Sequence, residues 1–99
     1  MRSLRTILYA RATSEELVES QLANLRTRVR MLPHALVTDA RYDLGAGRHA
    51  LHELLDEIEM GRQNVDLIIA DCLSRISRES SDEFAERADA IEVAIIAFR

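Results

Sequence analysis

Leu4-Arg-Thr-Ile-Leu-Tyr-Ala10, running straight into Arg11-Ala-Thr-Ser-Glu-Glu16, is the stretch that decides the fold. Its first half is a compact apolar segment, short enough for a buried strand that ends at Arg11. Thr13 or Ser14 can then cap a helix, and Glu15 and Glu16 put carboxylates in its first turn, where the helix dipole favours negative charge. Leu17, Val18, Leu22, Leu25, Val29 and Leu32 recur at helical spacing, which predicts a helix to about Met31 that stops before Pro33. A strand feeding a helix in this way is the first half of a βαβ unit.

The same alternation continues outward from it. Ala35 to Thr38 reads as a second short strand leading to Asp39, and Tyr42 to Gly47 as a loop holding two of the three glycines. Arg48 to Met60 carries Leu51, Leu54, Leu55 and Ile58 on one face, a second helix ended by Gly61. Val65 to Ala70 is nearly continuous in apolar character, which suits a strand covered on both faces. Ser80-Ser-Asp-Glu83 is a capping box for a third helix packing through Phe84, Ala88 and Ile91, and Val93 to Phe98 is a fourth strand. The order β-α-β-α-β-α-β, with right-handed crossovers, predicts a three-layer α/β domain: a mainly parallel four-stranded sheet with helices on both faces. Residues 1–99 read as one such domain with no separate DNA-binding domain.

Composition narrows the function classes. Ninety-nine residues suffice for one core, and a hydrophobic fraction of 47% excludes a disordered chain. No apolar run approaches the roughly 20 residues needed to span a bilayer, so no membrane partner is expected. The lone Cys72 cannot form an internal disulfide, and a cytoplasmic location follows as the default expectation. A net charge of -4 argues against a protein that coats DNA with its whole surface. Any contact with nucleic acid must come from a local cluster of arginines.

The predicted topology supplies one. Arg11 follows the first strand, and Arg75 and Arg78, in Leu73-Ser-Arg-Ile-Ser-Arg78, follow the third. Ligands of open α/β sheets bind outside the carboxyl ends of the strands, and these arginines are placed there. Guanidinium groups fork onto phosphate oxygens, so the cluster reads as a site for a phosphodiester or another oxyanion. Thr13, with Ser14 beside it, stands where a hydroxyl nucleophile would be sought.

On this scaffold the sequence resembles the N-terminal catalytic domain of the serine recombinases, the resolvase/invertase family. That family's Tyr-x-Arg-Val-Ser-Thr-x-Glu-Gln after the first strand is matched by Tyr9-Ala-Arg11-Ala-Thr13-Ser14-Glu-Glu-Leu17, and its helical Gln and apolar repeat by Gln21-Leu-Ala-Asn-Leu25. The aspartate after strand two, the glycine-containing loop and Arg-x-x-Leu are matched by Asp39, Leu44-Gly-Ala-Gly47 and Arg48-His-Ala-Leu51. Leu73-Ser74-Arg75-Ile-Ser-Arg78 stands for the family's leucine, aspartate and Arg-Leu-Ser-Arg.

The resemblance implies DNA recombination by attack of a hydroxyl on a phosphodiester, with Arg11, Arg48, Arg75 and Arg78 holding the phosphate and Tyr9 part of the same site. Thr13 then occupies the nucleophile's place and Ser74 the aspartate's, with Ser14 an alternative nucleophile. The implied partners are DNA, bound weakly by the domain alone, and a second copy or a full-length recombinase. A non-catalytic interaction protein reusing the fold is the alternative. In the family a long dimer-forming helix and a DNA-binding module follow the fourth strand, and the resemblance implies that residues 1–99 hold neither.

Other signals are weaker. Gly45-Ala-Gly47-Arg-His-Ala50 matches a permissive dinucleotide pattern but does not follow strand one, so no cofactor is expected. His52-Glu-Leu-Leu-Asp56 has Asp where a zinc motif needs its second histidine. His49 and His52 read as solvated helix residues, and no metal is expected. His34 reads as a turn residue, Tyr42 and Asp43 as loop residues with lining the mouth of the arginine site as their alternative role, and Cys72 as a thiol at a strand end.

Overall fold

The computed structural model describes residues 3–45, 49–71, 90 and 92–97. In chain order these form β1 (Leu4–Ala12), α1 (Glu15–Val29), β2 (Ala35–Leu44), α2 (His49–Glu59), β3 (Leu67–Ala70) and β4 (Ala94–Ala97). The strands make one sheet in the order β2-β1-β3-β4, and every pairing is parallel. The third helix expected from the capping box, and Cys72, lie outside the described residues. Among the described residues no helix is long and apolar enough to cross a membrane.

β1 lies inside the sheet, and successive side chains serve opposite layers. Ile7 and Tyr9 join Leu51, Leu54 and Leu55 of α2 in one core, together with Val65, Ile68, Ala70 and Val93. Leu8 joins Leu25 and Val29 of α1, with Leu67 and Ile69, in the other. This is the three-layer α/β arrangement that the alternating pattern predicts. Each fully buried Leu or Ile contributes roughly 1.5–3 kcal/mol by leaving water. The expected face of α1 differs at one position: Leu17 is half-exposed.

The second strand is longer than its sequence suggests. The expected loop at Tyr42–Gly47 begins later, since Tyr42, Asp43 and Leu44 continue β2, and Asp39 lies within the strand instead of after it. β1 itself continues to Ala12, and its backbone offers ladder partners as far as Leu44, beyond which the Gly45 amide closes the pairing on the Ala12 carbonyl at 2.8 Å. The register shifts between Thr6 and Ile7, so that Thr38 is an extra residue in β2 and its hydroxyl donates to the Thr6 carbonyl at 3.4 Å. Bulges of this kind are uncommon in parallel pairs.

Polar contacts fasten the ends of these elements. The Asp66 carboxylate accepts from the Arg5 amide at 2.9 Å and from Arg5 Nε at 3.3 Å, while the Asp66 amide donates to the Arg5 carbonyl at 2.9 Å. The Asp66 carbonyl in turn accepts from the Ala94 amide, which ties the starts of β1, β3 and β4 together. Arg41 on β2 reaches Glu57 of α2 at 2.9 Å and Asp39 on its own strand at 2.9 Å. A second oxygen of Asp39 accepts from the Ala40 amide at 2.8 Å.

The hydrogen bond from Arg41 holds the Asp39 carboxyl below its ordinary value. A depressed folded-state value means that Asp39 stabilises the fold above the unfolded carboxylate range, about pH 4. That contribution is lost as pH falls through the lower folded value. Asp39→Asn is therefore expected to flatten the acid limb of a stability-against-pH curve measured by urea unfolding.

α2 ends in a Schellman motif. The Gly61 amide donates to the Ile58 carbonyl at 3.1 Å, the Arg62 amide to the Glu57 carbonyl at 2.8 Å, and Gly61 has φ +76°. An added Cβ at Gly61 would meet no atom within 4 Å, so a substitution there is penalised by backbone conformation alone. Gly61→Ala is expected to cost about 1 kcal/mol in urea unfolding and Gly61→Asn less. Equal stability of the alanine variant would show that the left-handed turn is not maintained in solution.

Candidate functional site

β1 delivers Tyr9 and Arg11 to the carboxyl edge of the sheet. Alternation along the strand places both on the α2 side, and Asp43 stands opposite Arg11 in the ladder. Arg11 is 7% exposed and Asp43 8%. α1 begins three residues beyond β1, so its N-terminus lies at this edge. The N-terminus of α2 is tied to the same edge, because its first-turn amides reach Asp43 at the end of β2. Two helix N-termini at one edge favour negative charge there.

Asp43 is the hub of the α2 side. Its Oδ2 accepts from the Tyr9 hydroxyl at 2.6 Å, its Oδ1 from the Ala50 amide at 2.8 Å, and Oδ2 again from the Leu51 amide at 3.4 Å. The first turn of α2 contains no acidic residue of its own, and Asp43 supplies the carboxylate from the end of β2. Asp43 is a strand residue and not a loop residue, and the sequence reading, which offered it at the mouth of the arginine site, did not foresee a buried carboxylate that joins a strand, a phenol and a helix N-terminus. The signal available in the sequence was an aspartate shortly before a helix that has no acidic first turn. Asp39, which matched the family's aspartate by spacing, pairs instead with Arg41 on the outer strand.

Gln21 of α1 holds Arg11 from the other side. Its Oε1 accepts from the Arg11 amide at 3.2 Å and its Nε2 donates to the Arg11 carbonyl at 3.0 Å. Thr13 and Ser14 form the bend between β1 and α1, and both are exposed. Ser14 is the helix cap: its hydroxyl accepts from the Leu17 amide at 3.3 Å and its backbone is extended, with φ -143°. The choice that the sequence leaves between Thr13 and Ser14 as the cap is thereby resolved. Thr13 stands two residues after Arg11, outside that capping bond. Asp71, 8% exposed and directly after β3, is a further buried carboxylate that the sequence reading did not single out.

Arg48, Ser74, Arg75 and Arg78 lie outside the described residues, so the expected convergence of four arginines is represented here by Arg11. His49 and His52 are exposed on α2. Among the described residues no three His, Cys, Asp or Glu side chains are grouped to hold a metal ion. The described arrangement offers a desolvated arginine backed by a fixed strand, an exposed hydroxyl two residues away and two helix N-termini.

No protein-family model matches the chain, and no curated protein matches its sequence. Solved structures match it by shape. The C-terminal catalytic domain of ISC1926 TnpA, an IS607-like serine recombinase, gives a TM-score of 0.81 at 21% identity, covering 97% of this chain and 70% of its own. A resolvase family site-specific recombinase from Streptococcus pneumoniae gives 0.78 at 19% identity, covering 96% and 72%. The N-terminal catalytic domain of TP901-1 integrase gives 0.74 at 20% identity, covering 94% and 75%. The chain has the fold of serine recombinase catalytic domains.

The bond between Tyr9 and Asp43 spans 34 residues of sequence and is buried, which makes it measurable. Tyr9→Phe is expected to cost about 1.5–3 kcal/mol, and Asp43→Ala more, because it leaves a phenol and two amides unsatisfied. In a double-mutant cycle followed by urea unfolding, the combined loss should fall short of the sum by about 1 kcal/mol or more. Additive losses would show that the two groups do not share this bond.

Proposed function

We propose that this chain is a serine-recombinase-type domain acting in site-specific DNA recombination. It would cleave and rejoin a DNA strand through a hydroxyl nucleophile and an arginine cluster, with weak activity. The supporting observation is the placement of Arg11 and Thr13: a buried guanidinium at the end of an inner strand and an exposed hydroxyl two residues on, within a fold shared with serine recombinase catalytic domains. In the proposed step Thr13 Oγ1 attacks a DNA phosphorus. The Oγ1–P bond forms as the P–O3′ bond breaks, Thr13 loses its hydroxyl proton and O3′ gains one. Arg11, Arg48, Arg75 and Arg78 would offset the negative charge that accumulates on the phosphate oxygens.

Two substitutions weaken the chemistry. The β-methyl of Thr13 restricts χ1 and adds bulk on the line of attack. Ser74 in place of the family aspartate removes a carboxylate that can orient an arginine or assist proton movement. These substitutions favour, as a second reading, a non-catalytic protein that keeps the fold and pairs with a full-length recombinase. Under either reading, a net charge of -4 makes duplex DNA binding by the chain weak and strongly salt-dependent.

The two readings separate by covalent capture of DNA on a nicked suicide duplex, with a dimerising helix fused after residue 99. Wild type is expected to give little adduct, Thr13→Ser with Ser74→Asp substantially more, and Arg11→Ala to remove that gain by about 10²-fold or more. If the double variant forms no adduct where an active family member does on the same duplex, the interaction reading takes its place.

A further inference from the structure

α1 carries its exposed charge in two blocks. Glu15, Glu16 and Glu19 lie near its start, and Arg26 and Arg30 in its last turn and at its C-cap, all exposed to solvent. At 100° per residue, Glu15, Glu19, Leu22, Arg26 and Arg30 fall within one stripe about 80° wide. The stripe lies beside the face that Val18, Leu25 and Val29 bury against the sheet. At its middle are the half-buried Leu22 and the exposed Ala23.

Within one chain these charges are badly matched. Glu15 and Glu19 stand at i and i+4, as do Arg26 and Arg30, and like charges at that spacing destabilise a helix. Glu19 and Arg26 are seven residues apart, about 10 Å along the axis, beyond the i+3 and i+4 pairs of a single helix. Among the described residues none of the four forms an ion pair. The helix dipole favours carboxylates at the start and guanidinium groups at the end, but it sets no register between them.

A register is nevertheless present. Glu15 and Arg30 are centred on the same point as Glu19 and Arg26, between Leu22 and Ala23. We infer that this face of α1 pairs with the same face of a second copy of the chain, antiparallel, about a two-fold axis at that point. Glu15 of each copy then meets Arg30 of the other, and Glu19 meets Arg26, so one rotation satisfies four pairs. The small Ala23 lets the helices approach to about 8–10 Å, and a shallow crossing of about 20° keeps the outer pairs within reach. The two carboxyl edges point in opposite directions, and both stay open.

A single pair of 15-residue helices covers less than the roughly 1,200 Å² of a stable interface, so the association is weak and reversible. Its test is sedimentation equilibrium of the full chain at up to about 1 mM. The association constant is expected to fall about tenfold or more between about 0.05 M and 1 M salt, because exposed charges are screened. Glu19→Arg alone and Arg26→Glu alone each set like charges opposite one another, and each should weaken self-association about tenfold or more. An equimolar mixture of the two variants should recover it, since opposite charges then meet at both places. A monomeric wild type at low salt, unchanged single variants, or a mixture no stronger than its components overturns the inference.

Cysteine cross-linking in a Cys72→Ser background keeps the test decisive if the reversed variants fail to fold. Ala23→Cys, near the proposed axis, should form a disulfide-linked dimer under mild oxidation. Asn24→Cys, equally exposed but turned by 100° around the helix, should form little. Equal cross-linking at both positions, or more at Asn24, places the contact on another face and overturns the inference.

Discussion

The carboxyl edge of this domain is governed by a mismatch in length: an inner strand of nine residues is flanked by one neighbour of ten and another of four. A buried strand must place every backbone donor and acceptor, since an unpaired amide inside the protein costs as much as a lost hydrogen bond. On the β2 side the ladder runs to Leu44 and solves the problem by pairing. On the other side, among the described residues, Asp66 meets Arg5 with its carboxylate and its amide, and the Gln21 side chain meets the amide and carbonyl of Arg11. Arg11, near the end of the inner strand, is thus fastened to α1 as well as to β2.

The two helices then act as braces of different kinds. α1 meets the sheet through Val18, Leu25 and Val29 and adds a polar contact to the backbone of Arg11. α2 meets it through Leu51, Leu54 and Leu55 and is drawn to the strand ends by the Asp43 carboxylate. Apolar packing has little directional preference along a helix axis, whereas hydrogen bonds at its first turn do. Asp43 therefore sets how far α2 slides along the sheet, and the Tyr9 hydroxyl transmits that position to β1. The hydroxyl of Thr13 stays clear of this framework because Ser14 takes the capping role.

Most of the architecture was legible in the sequence wherever burial dictated composition. β1, β3 and the apolar faces of both helices are written in Ile7, Leu8, Ile68, Ile69, Leu25 and Leu54, each fully buried. The outer half of β2 was not legible. The strand was expected to end at Thr38 and a loop to begin at Tyr42, because an edge strand lies partly in solvent and its charges find partners on α2 and on the strand itself. The role of Asp43 was hidden for another reason. Its partners lie 34 residues upstream and 7 and 8 residues downstream; periodicity reports no contact of that range, and the one local trace is the absence of an acidic residue from the first turn of α2. Arg11 was found from its place after a strand, but its burial and its grip by Gln21 belong to tertiary structure.

Asp39 has a consequence at the rim of the sheet. The ladder that turns the Asp43 and Gly45 amides toward β1 turns the Ala40 amide outward, where a strand from another molecule would dock. The Asp39 carboxylate already occupies that amide at 2.8 Å, and the extra residue at Thr38 breaks the regular spacing just before it. A negative charge and a bulge in the middle of an open edge both discourage edge-to-edge pairing. With Leu36, Tyr42 and Leu44 half-exposed along the same strand, β2 would otherwise be a template for aggregation, and the Asp39–Arg41 pair keeps it a boundary.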